Sequence, residues 1–165
     1  MSAATRLIGA LGGATALGAL ALSFNGGWEG KRLDAYRDII GVWTICYGET
    51  YNVKPGERRT SEQCDEGHLK GLVRYEQGMR KCLDRPDALP GKVYVAFLSS
   101  TWNLGVPTFC RSSMARYANH GNLVAACNAL RLYVNAGGRF VKGLDNRRRA
   151  EQKLCLEGAA EGTGT

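Results

Sequence analysis

The stretch that decides the fold is WEGKRLDAYRDIIGVWTICYGET, from Trp28 to Thr50. It follows a run of apolar and small residues with a helical pattern, so Glu29 stands near the end of a helix. Asp38 and Gly41 then mark a turn, and β-prone residues follow over 42–45. The stretch therefore predicts a helix end followed by a β-hairpin, which sets one carboxylate on the helix and another across a short gap in the hairpin.

The rest of the chain has a helical pattern. A helix is predicted to run from Ser61 toward Cys82, where the next prolines end it. A nearly continuous apolar helix over 93–104 forms the predicted core, the tail 157–165 is predicted to fray, and further helices are expected over 112–118, 122–134 and 146–156. The 165 residues fit one domain with a sizeable core, or two small lobes that share a cleft. We predict an α+β fold that is mostly helical, with a small β-hairpin lobe and a larger helical lobe.

Two acids and a threonine in the first stretch, Glu29, Asp38 and Thr44, suggest a chemistry. Glycoside hydrolysis needs one carboxylic acid to protonate the leaving oxygen and a second carboxylate to activate water or attack the sugar. Two acids at this separation are usually surface charge, so composition alone does not assign the role. However, the order Glu29, eight residues, Asp38, five residues, Thr44 resembles the signature of phage-type lysozymes, glycoside hydrolase family 24.

The resemblance extends over nearly everything from Trp28 to Gly158. Segments similar to that family are GVWTICYG at 41–48, VKPGERRTSEQC at 53–64, FLSSTWNLG at 97–105 and AGGRFVKGLDNRRRAEQKLC at 136–155. One departure is Tyr133, where the family more often has Trp. The resemblance implies a lysozyme-like fold in which the two lobes flank an active-site cleft.

The same resemblance implies a function. It indicates an endolysin that hydrolyses the β-1,4 bond between N-acetylmuramic acid and N-acetylglucosamine in peptidoglycan and lyses the host at phage release. By position, Glu29 is implied to be the general acid, Asp38 the second catalytic carboxylate, and Thr44 the residue that orients the attacking water. The family inverts anomeric configuration, which implies that Asp38 acts as general base, with the carboxyl groups about 6.5 to 9.5 Å apart.

The cysteine count is even and no CxxC motif occurs, which favours disulfides in an oxidising compartment over a zinc site. The six residues are Cys46, Cys64, Cys82, Cys110, Cys127 and Cys155. Fifteen complete pairings are possible. We favour pairing each cysteine with its neighbour in sequence, because each bond then closes a loop between adjacent elements: 46 with 64, 82 with 110, and 127 with 155.

The N-terminal segment LIGALGGATALGALALSF, residues 7–24, carries no charge. As a helix it would cover roughly 27 Å, close to the ~30 Å of a hydrocarbon core, but few of its residues are large and apolar. Three interpretations are open: a signal peptide cleaved near Ala19-Leu20-Ala21, a permanent anchor, or a span that can leave the membrane. We favour the last, a signal-anchor-release segment of the kind found in some phage endolysins.

This choice predicts the domain organisation and the location. Residues 1–27 would form the signal-anchor-release segment and 28–165 the catalytic domain, with a small β lobe over about 28–60 and a helical lobe over about 61–158. The enzyme would first be held in the host inner membrane by residues 7–24, with its catalytic domain in the periplasm and inactive or restrained. It would then be released uncleaved into the periplasm.

The net charge of +7 favours an anionic partner, and peptidoglycan carries carboxylates. Charge alone also allows a nucleic-acid-binding module, and the N-terminal segment allows a protein that forms membrane lesions. The chain has no recognisable nucleic-acid reading motif, and neither rival explains the spacing of Glu29, Asp38 and Thr44. We therefore expect peptidoglycan glycan strands as the partner, no nucleic acid, no cofactor or metal, and a monomer.

Overall fold

A computed structural model describes residues 5–162 of the chain. These residues contain seven α-helices and two small antiparallel sheets, so the predicted class, α+β and mostly helical, is confirmed. They form two compact units, one over Leu7–Val73 and the other from the remaining described residues. The first four residues of the expected segment 1–27 and the last three of the expected catalytic domain 28–165 lie outside the described residues.

The unit over Leu7–Val73 is built around a hairpin. It contains α1 (Ala16–Glu29), β1 (Arg32–Arg37), β2 (Trp43–Cys46) and the first part of α2 (Ser61–Arg80). The two strands are antiparallel, with Tyr36 opposite Thr44 and Arg37 opposite Trp43. The predicted helix end and hairpin are thus both confirmed.

A small core and a capped helix hold this hairpin in place. Ile45, Cys46 and Cys64 are buried together, and the two cysteines form a disulfide between β2 and α2. Just before α2, the Thr60 hydroxyl accepts a hydrogen bond from the Gln63 N–H at 3.2 Å, and Gln63 Oε1 accepts one from the Thr60 N–H at 2.9 Å. This reciprocal pair satisfies two backbone donors that a helix start otherwise leaves unpaired.

In the described conformation, helix α1 covers only the second half of the apolar segment 7–24. Residues 7–15 fold instead into a turn, in which the Thr15 N–H donates to the Leu7 carbonyl at 2.9 Å. Gly12 has a φ of +83°, a left-handed conformation that interrupts a right-handed helix and that glycine adopts readily. The Thr15 side chain then caps α1. Within the described part of the chain, none of the helices combines the length and apolarity needed to cross a membrane.

The second unit is helical. After a 3₁₀ turn at Pro86–Ala88 it contains α3 (Gly91–Leu104), α4 (Val106–Cys110), α5 (Ser113–Asn119), α6 (Leu123–Ala129), a 3₁₀ turn (Leu130–Leu132), β3 (Asn135–Ala136), β4 (Arg139–Phe140) and α7 (Lys142–Gly162). Every residue of α3 from Val93 to Thr101 is buried, and α3 packs chiefly against α7. The predicted apolar core helix is confirmed.

Three predicted helix boundaries in this unit are wrong, and one is the start of the last helix, which lies at Lys142 and not at residue 146. The helix expected over 122–134 ends at Ala129, because a 3₁₀ turn and the β3–β4 hairpin follow it. The tail expected to fray from residue 157 is helical to Gly162. The reason is close packing: a Cβ added at Gly158 would lie 2.8 Å from the Val93 backbone nitrogen, so the small residue lets α7 continue directly against α3.

A buried ionic cluster joins α7 to α3 inside the helical unit. The side chains of Arg148 and Glu151 have no exposed surface, and Arg148 Nη1 lies 2.6 Å from Glu151 Oε2. Glu151 Oε1 also accepts hydrogen bonds from Arg147 Nε at 3.1 Å and from the Ser99 hydroxyl at 2.7 Å. Arg148 in addition donates to the Asn103 side-chain carbonyl. Both ends of the ion pair therefore have further polar partners.

All six cysteines are paired, and the predicted pairing is confirmed. Cys46–Cys64 lies in the first unit, and the other two disulfides, Cys82–Cys110 and Cys127–Cys155, lie in the helical unit. The three loops that they close follow one another along the chain without overlapping.

Candidate active site

Glu29 is the last residue of α1, immediately before the chain enters the hairpin. The Gly30 N–H closes the last turn of the helix on the Gly26 carbonyl at 3.1 Å, and β1 begins at Arg32. The Glu29 side chain is half-buried, and the neighbouring Trp28 ring is 38% exposed. A carboxyl group at this helix end is therefore partly shielded by protein and still accessible from solvent.

Asp38 organises the turn between β1 and β2. Its Oδ1 accepts hydrogen bonds from the Ile40 N–H at 3.0 Å and from the Val42 N–H at 2.8 Å. Gly41 completes the turn with a φ of +82°, which a side chain would disfavour. Two donors on one oxygen fix the orientation of the carboxylate. No donor among residues 5–162 reaches Oδ2, so that oxygen can still accept a proton or a hydrogen bond.

Thr44 is tied to Asp38 through the backbone of Val42. The Val42 N–H donates to the Asp38 side chain, and the Val42 carbonyl accepts from both the Asp38 N–H at 3.0 Å and the Thr44 hydroxyl at 3.1 Å. Thr44 is only 4% exposed. Because its one hydroxyl proton is used on Val42, its oxygen is left as an acceptor. The hairpin thus offers two oxygen acceptors, the Asp38 carboxylate and the Thr44 hydroxyl, and both are held by the backbone of Val42.

A polar cluster fixes the start of the hairpin against α2. Lys31 Nζ lies 2.9 Å from Asp65 Oδ1, and the Tyr47 hydroxyl donates to the same oxygen at 2.5 Å. The Tyr47 ring stacks on His68 with 4.3 Å between ring centroids. Burial acts to raise the pKa of Asp65, but the hydrogen bonds from Tyr47 and Lys31 outweigh it and hold that pKa below its usual value. Asp65 therefore stays anionic and holds Lys31, two residues after Glu29, in place.

The structure places all three sequence-predicted residues in one unit. Asp38 and Thr44 meet at Val42, and Glu29 ends the helix that leads into their hairpin. Sequence reasoning did not select Asn25, which is 1% exposed and lies one helical turn before Glu29. The signal that could have selected it is a lone amide in an otherwise apolar helix, four residues before the acid.

The donor set of the described residues does not suggest a metal. Across residues 5–162, no three side chains of His, Cys, Asp or Glu come together in a way that could hold an ion. What the arrangement offers is two carboxyl groups and a hydroxyl, the kinds of group that transfer protons to and from a substrate.

The chain is similar in sequence and in structure to phage lysozymes and endolysins. The family model described as Phage lysozyme matches residues 26–151. A SAR-endolysin of Bacteriophage PS119 is 34% identical over 153 residues, which cover 89% of this chain and 89% of that protein. A mutant of the P22 lysozyme matches in structure with a TM-score of 0.78 at 29% identity, over 92% of this chain and 99% of that one.

Two solved forms of the P1 phage endolysin Lyz also match, to different degrees. The active form matches with a TM-score of 0.73 at 31% identity, over 84% of both chains. The secreted inactive form matches with a TM-score of 0.50 at 28% identity, over 66% of this chain and 76% of that one. The match to the active form therefore has the higher TM-score and covers more of this chain.

Proposed function

The chain belongs to the phage lysozyme family, and from that premise we propose which of its residues carry out the reaction. It is a glycoside hydrolase, an endolysin that acts on bacterial peptidoglycan. We assign Glu29 as the general acid, Asp38 as the general base and Thr44 as the residue that orients the attacking water. The bond cleaved is the β-1,4 linkage between N-acetylmuramic acid and N-acetylglucosamine, and its loss lyses the host.

Glu29 supplies the proton that the leaving group needs. As the glycosidic C–O bond breaks, the Glu29 carboxyl gives its proton to the glycosidic oxygen, which departs as a neutral hydroxyl instead of an alkoxide. The position at the end of α1 supports this role, because the carboxyl group is only partly covered by protein and can still reach a polymer.

The single observation that carries the assignment of the base is the pair of acceptors around Val42. In the proposed mechanism a water lies between Asp38 Oδ2 and Thr44 Oγ1, the two oxygens that these contacts leave as acceptors. It donates one hydrogen to each, which points a lone pair of its oxygen away from both. As that oxygen forms its bond to the anomeric carbon, Asp38 takes the first proton. One water is consumed, one proton passes to Asp38 and one leaves Glu29, and the anomeric configuration inverts.

We predict that Asp38→Asn lowers kcat about 10²-fold to 10³-fold, because the amide keeps the turn but cannot accept the proton from water. Asn can accept the same two backbone hydrogen bonds through its side-chain oxygen, so the thermal unfolding midpoint should change little. The measurement is the initial rate of reducing-sugar release from purified peptidoglycan, together with NMR of the fresh product, which should be the α-anomer.

Asp34 provides the matched control for this variant. It lies on β1, its side chain is 67% exposed, and it pairs with Arg58 at 3.0 Å. Asp34→Asn should keep a near-normal rate. Near-normal turnover by a well-folded Asp38→Asn would remove Asp38 from the mechanism, and a β-anomer as first product would show that the enzyme retains configuration.

The domain assignment and the location are further parts of the proposal. We assign residues 1–27 as a signal-anchor-release segment and 28–165 as the catalytic domain, held in the inner membrane and then released to the periplasm as a monomer. The homologue from Bacteriophage PS119 is called a SAR-endolysin. The greater similarity to the active form of the P1 enzyme supports identifying the described fold, with residues 7–15 as a turn, as the released state.

Gly13→Leu tests the membrane step without disturbing the released fold. A Cβ at Gly13 would meet nothing within 4 Å, whereas one at Gly18 would lie 2.1 Å from the Leu7 carbonyl oxygen and would damage that fold. Leucine near the centre of a span favours insertion by about 0.6 kcal/mol, so the ratio of membrane-bound to released protein should rise about two- to threefold and lysis should be delayed.

The purified Gly13→Leu protein should hydrolyse peptidoglycan at the wild-type rate, because only the partition between membrane and solution is altered. Gly13→Ser is the control. It also adds a side chain at this position, but a polar one, so the variant should partition between membrane and solution as the wild type does. If the released wild-type protein instead began near Leu22 on N-terminal sequencing, the segment would be an ordinary cleaved signal peptide.

A further inference from the structure

Asn25 is the most isolated polar side chain of α1. It is 1% exposed, and neither its Nδ2 nor its Oδ1 has a hydrogen-bond partner among the described residues. Its buried neighbours on the helix, Gly18, Ala21 and Gly26, have no polar side chains. An amide sealed from solvent with no partner destabilises the folded state, since its hydrogen bonds to water are lost and not replaced.

Buried polar groups without partners are rare in folded proteins, and such departures from good packing tend to occur at functional sites. Asn25 costs stability in the described conformation, and an apolar residue of the same size would fill its place at less cost. The position therefore calls for a role that the free protein does not fulfil by itself.

The helix geometry points to what that role is. Asn25 and Glu29 are four residues apart in α1, so their side chains lie on the same face, with Cβ atoms about 5–6 Å apart. Helical side chains as a rule lean toward the N-terminus, which for Glu29 is the direction of the turn that contains Asn25. The Asn25 amide is thereby the polar group of α1 that lies under the candidate general acid.

We propose that Asn25 is a positioning residue for Glu29. In the substrate complex, Asn25 Nδ2 donates a hydrogen bond to one oxygen of the Glu29 carboxyl, directly or through one buried water. The other oxygen, which carries the proton, is then directed at the glycosidic oxygen. This inference rests on the proposed function, because it presupposes Glu29 as the acid, and it adds a residue that the Glu, Asp and Thr signature does not contain.

The test uses the purified full-length chain with two replacements. Asn25→Leu removes both polar atoms at similar volume, and Asn25→Asp keeps the shape but places a second carboxyl group beside Glu29. For each, kcat and KM on peptidoglycan are measured across the acid to alkaline range, and thermal unfolding is followed in parallel. Ser23→Ala is the control, because Ser23 is exposed and lies on a different face of α1.

Asn25→Leu should lower kcat roughly tenfold with KM nearly unchanged, since a misdirected acid weakens catalysis more than binding. Its unfolding midpoint should stay the same or rise, because an unpaired buried amide is gone. Asn25→Asp should move the alkaline limb of the kcat profile to higher pH, because a neighbouring carboxylate disfavours ionisation of the acid. Ser23→Ala should match the wild type in all three measurements.

The proposal is overturned if Asn25→Leu keeps the wild-type rate and pH profile. It is equally overturned if kcat and the unfolding midpoint of Asn25→Leu fall together while the pH profile of kcat is unchanged, because that result would mean that Asn25 has only a structural role. Should Asn25→Leu fail to fold, the profile of the isosteric Asn25→Asp decides alone. Glu29→Gln distinguishes a failure of this inference from a failure of the proposed function. If Glu29→Gln is inactive while the Asn25 variants behave as the wild type, the positioning role of Asn25 is wrong and the assignment of Glu29 as the acid stands.

Discussion

Replacing Glu29 with Gln is expected to lower kcat on peptidoglycan by about 10³-fold or more. The effect should be the largest of any single change at the site, because a sugar alkoxide is a poor leaving group without a proton, whereas water can still attack slowly without a base. Gln has the size of Glu and can still form hydrogen bonds, but it has no acidic proton to give. The measurement is reducing-sugar release from purified peptidoglycan.

Binding and stability should survive this change. Glu29 is only half-buried, so the neutral replacement should leave the unfolding midpoint within a few degrees of the wild type, and KM should change much less than kcat. Glu66→Gln is the matched control: Glu66 is exposed on α2, where it pairs with Lys70 at 2.6 Å, and its loss should leave the rate unaltered. A fully active Glu29→Gln enzyme would refute the acid assignment.

The largest expected effect on stability comes from Arg148→Met. This change leaves the fully buried Glu151 carboxylate without its main cation, and breaking a buried ion pair from one side costs about 3–5 kcal/mol. For a chain of this size, that corresponds to a fall in the unfolding midpoint of about 10 °C or more. Arg149→Met is the control, because the Arg149 side chain is 61% exposed and should matter little.

The pH dependence of stability shows whether Arg148→Met is destabilised by the unpaired charge of Glu151 or by lost packing. Burial raises the pKa of Glu151, and the nearby Arg148 opposes that rise, so removing the arginine raises the pKa further. An acid whose pKa is higher in the folded state favours folding at low pH and loses that contribution as pH rises through the folded-state pKa. The deficit of Arg148→Met should therefore be smaller in acid and grow toward neutral pH. A deficit that does not vary with pH would mean that only packing was lost.

Local chemistry explains why the hairpin could be predicted. Asp38 and Gly41 determine their turn through their own side-chain and backbone preferences, so the sequence there contains the information that the fold uses. The segment 7–24 differs, because its apolar pattern suits a helix, and what interrupts it is a hydrogen bond from Thr15 back to Leu7 together with the left-handed Gly12. Contacts of that kind do not appear in hydrophobic periodicity.

The candidate site also has parts that the sequence could predict and parts that it could not. A spacing pattern could name Glu29, Asp38 and Thr44, since it reports side chains. It could not name the contribution of Val42, whose side chain plays no part and whose backbone joins the other two. Asn25 falls between the two cases: a lone amide in an apolar helix is visible in the sequence, but its lack of a hydrogen-bond partner within the described residues is seen only in the folded arrangement.

The order of the disulfides bears on how the chain can be oxidised correctly. Each cysteine is bonded to the next one along the sequence, with separations of 18, 28 and 28 residues. In a chain that crosses a membrane from its N-terminus, cysteines reach the oxidising side one after another, and a thiol that is oxidised on arrival joins the one that has just preceded it. Here that simplest order of events yields the native pattern. With the export that we propose, correct oxidation of this protein should therefore need no isomerase, unlike that of a protein whose bridges interleave.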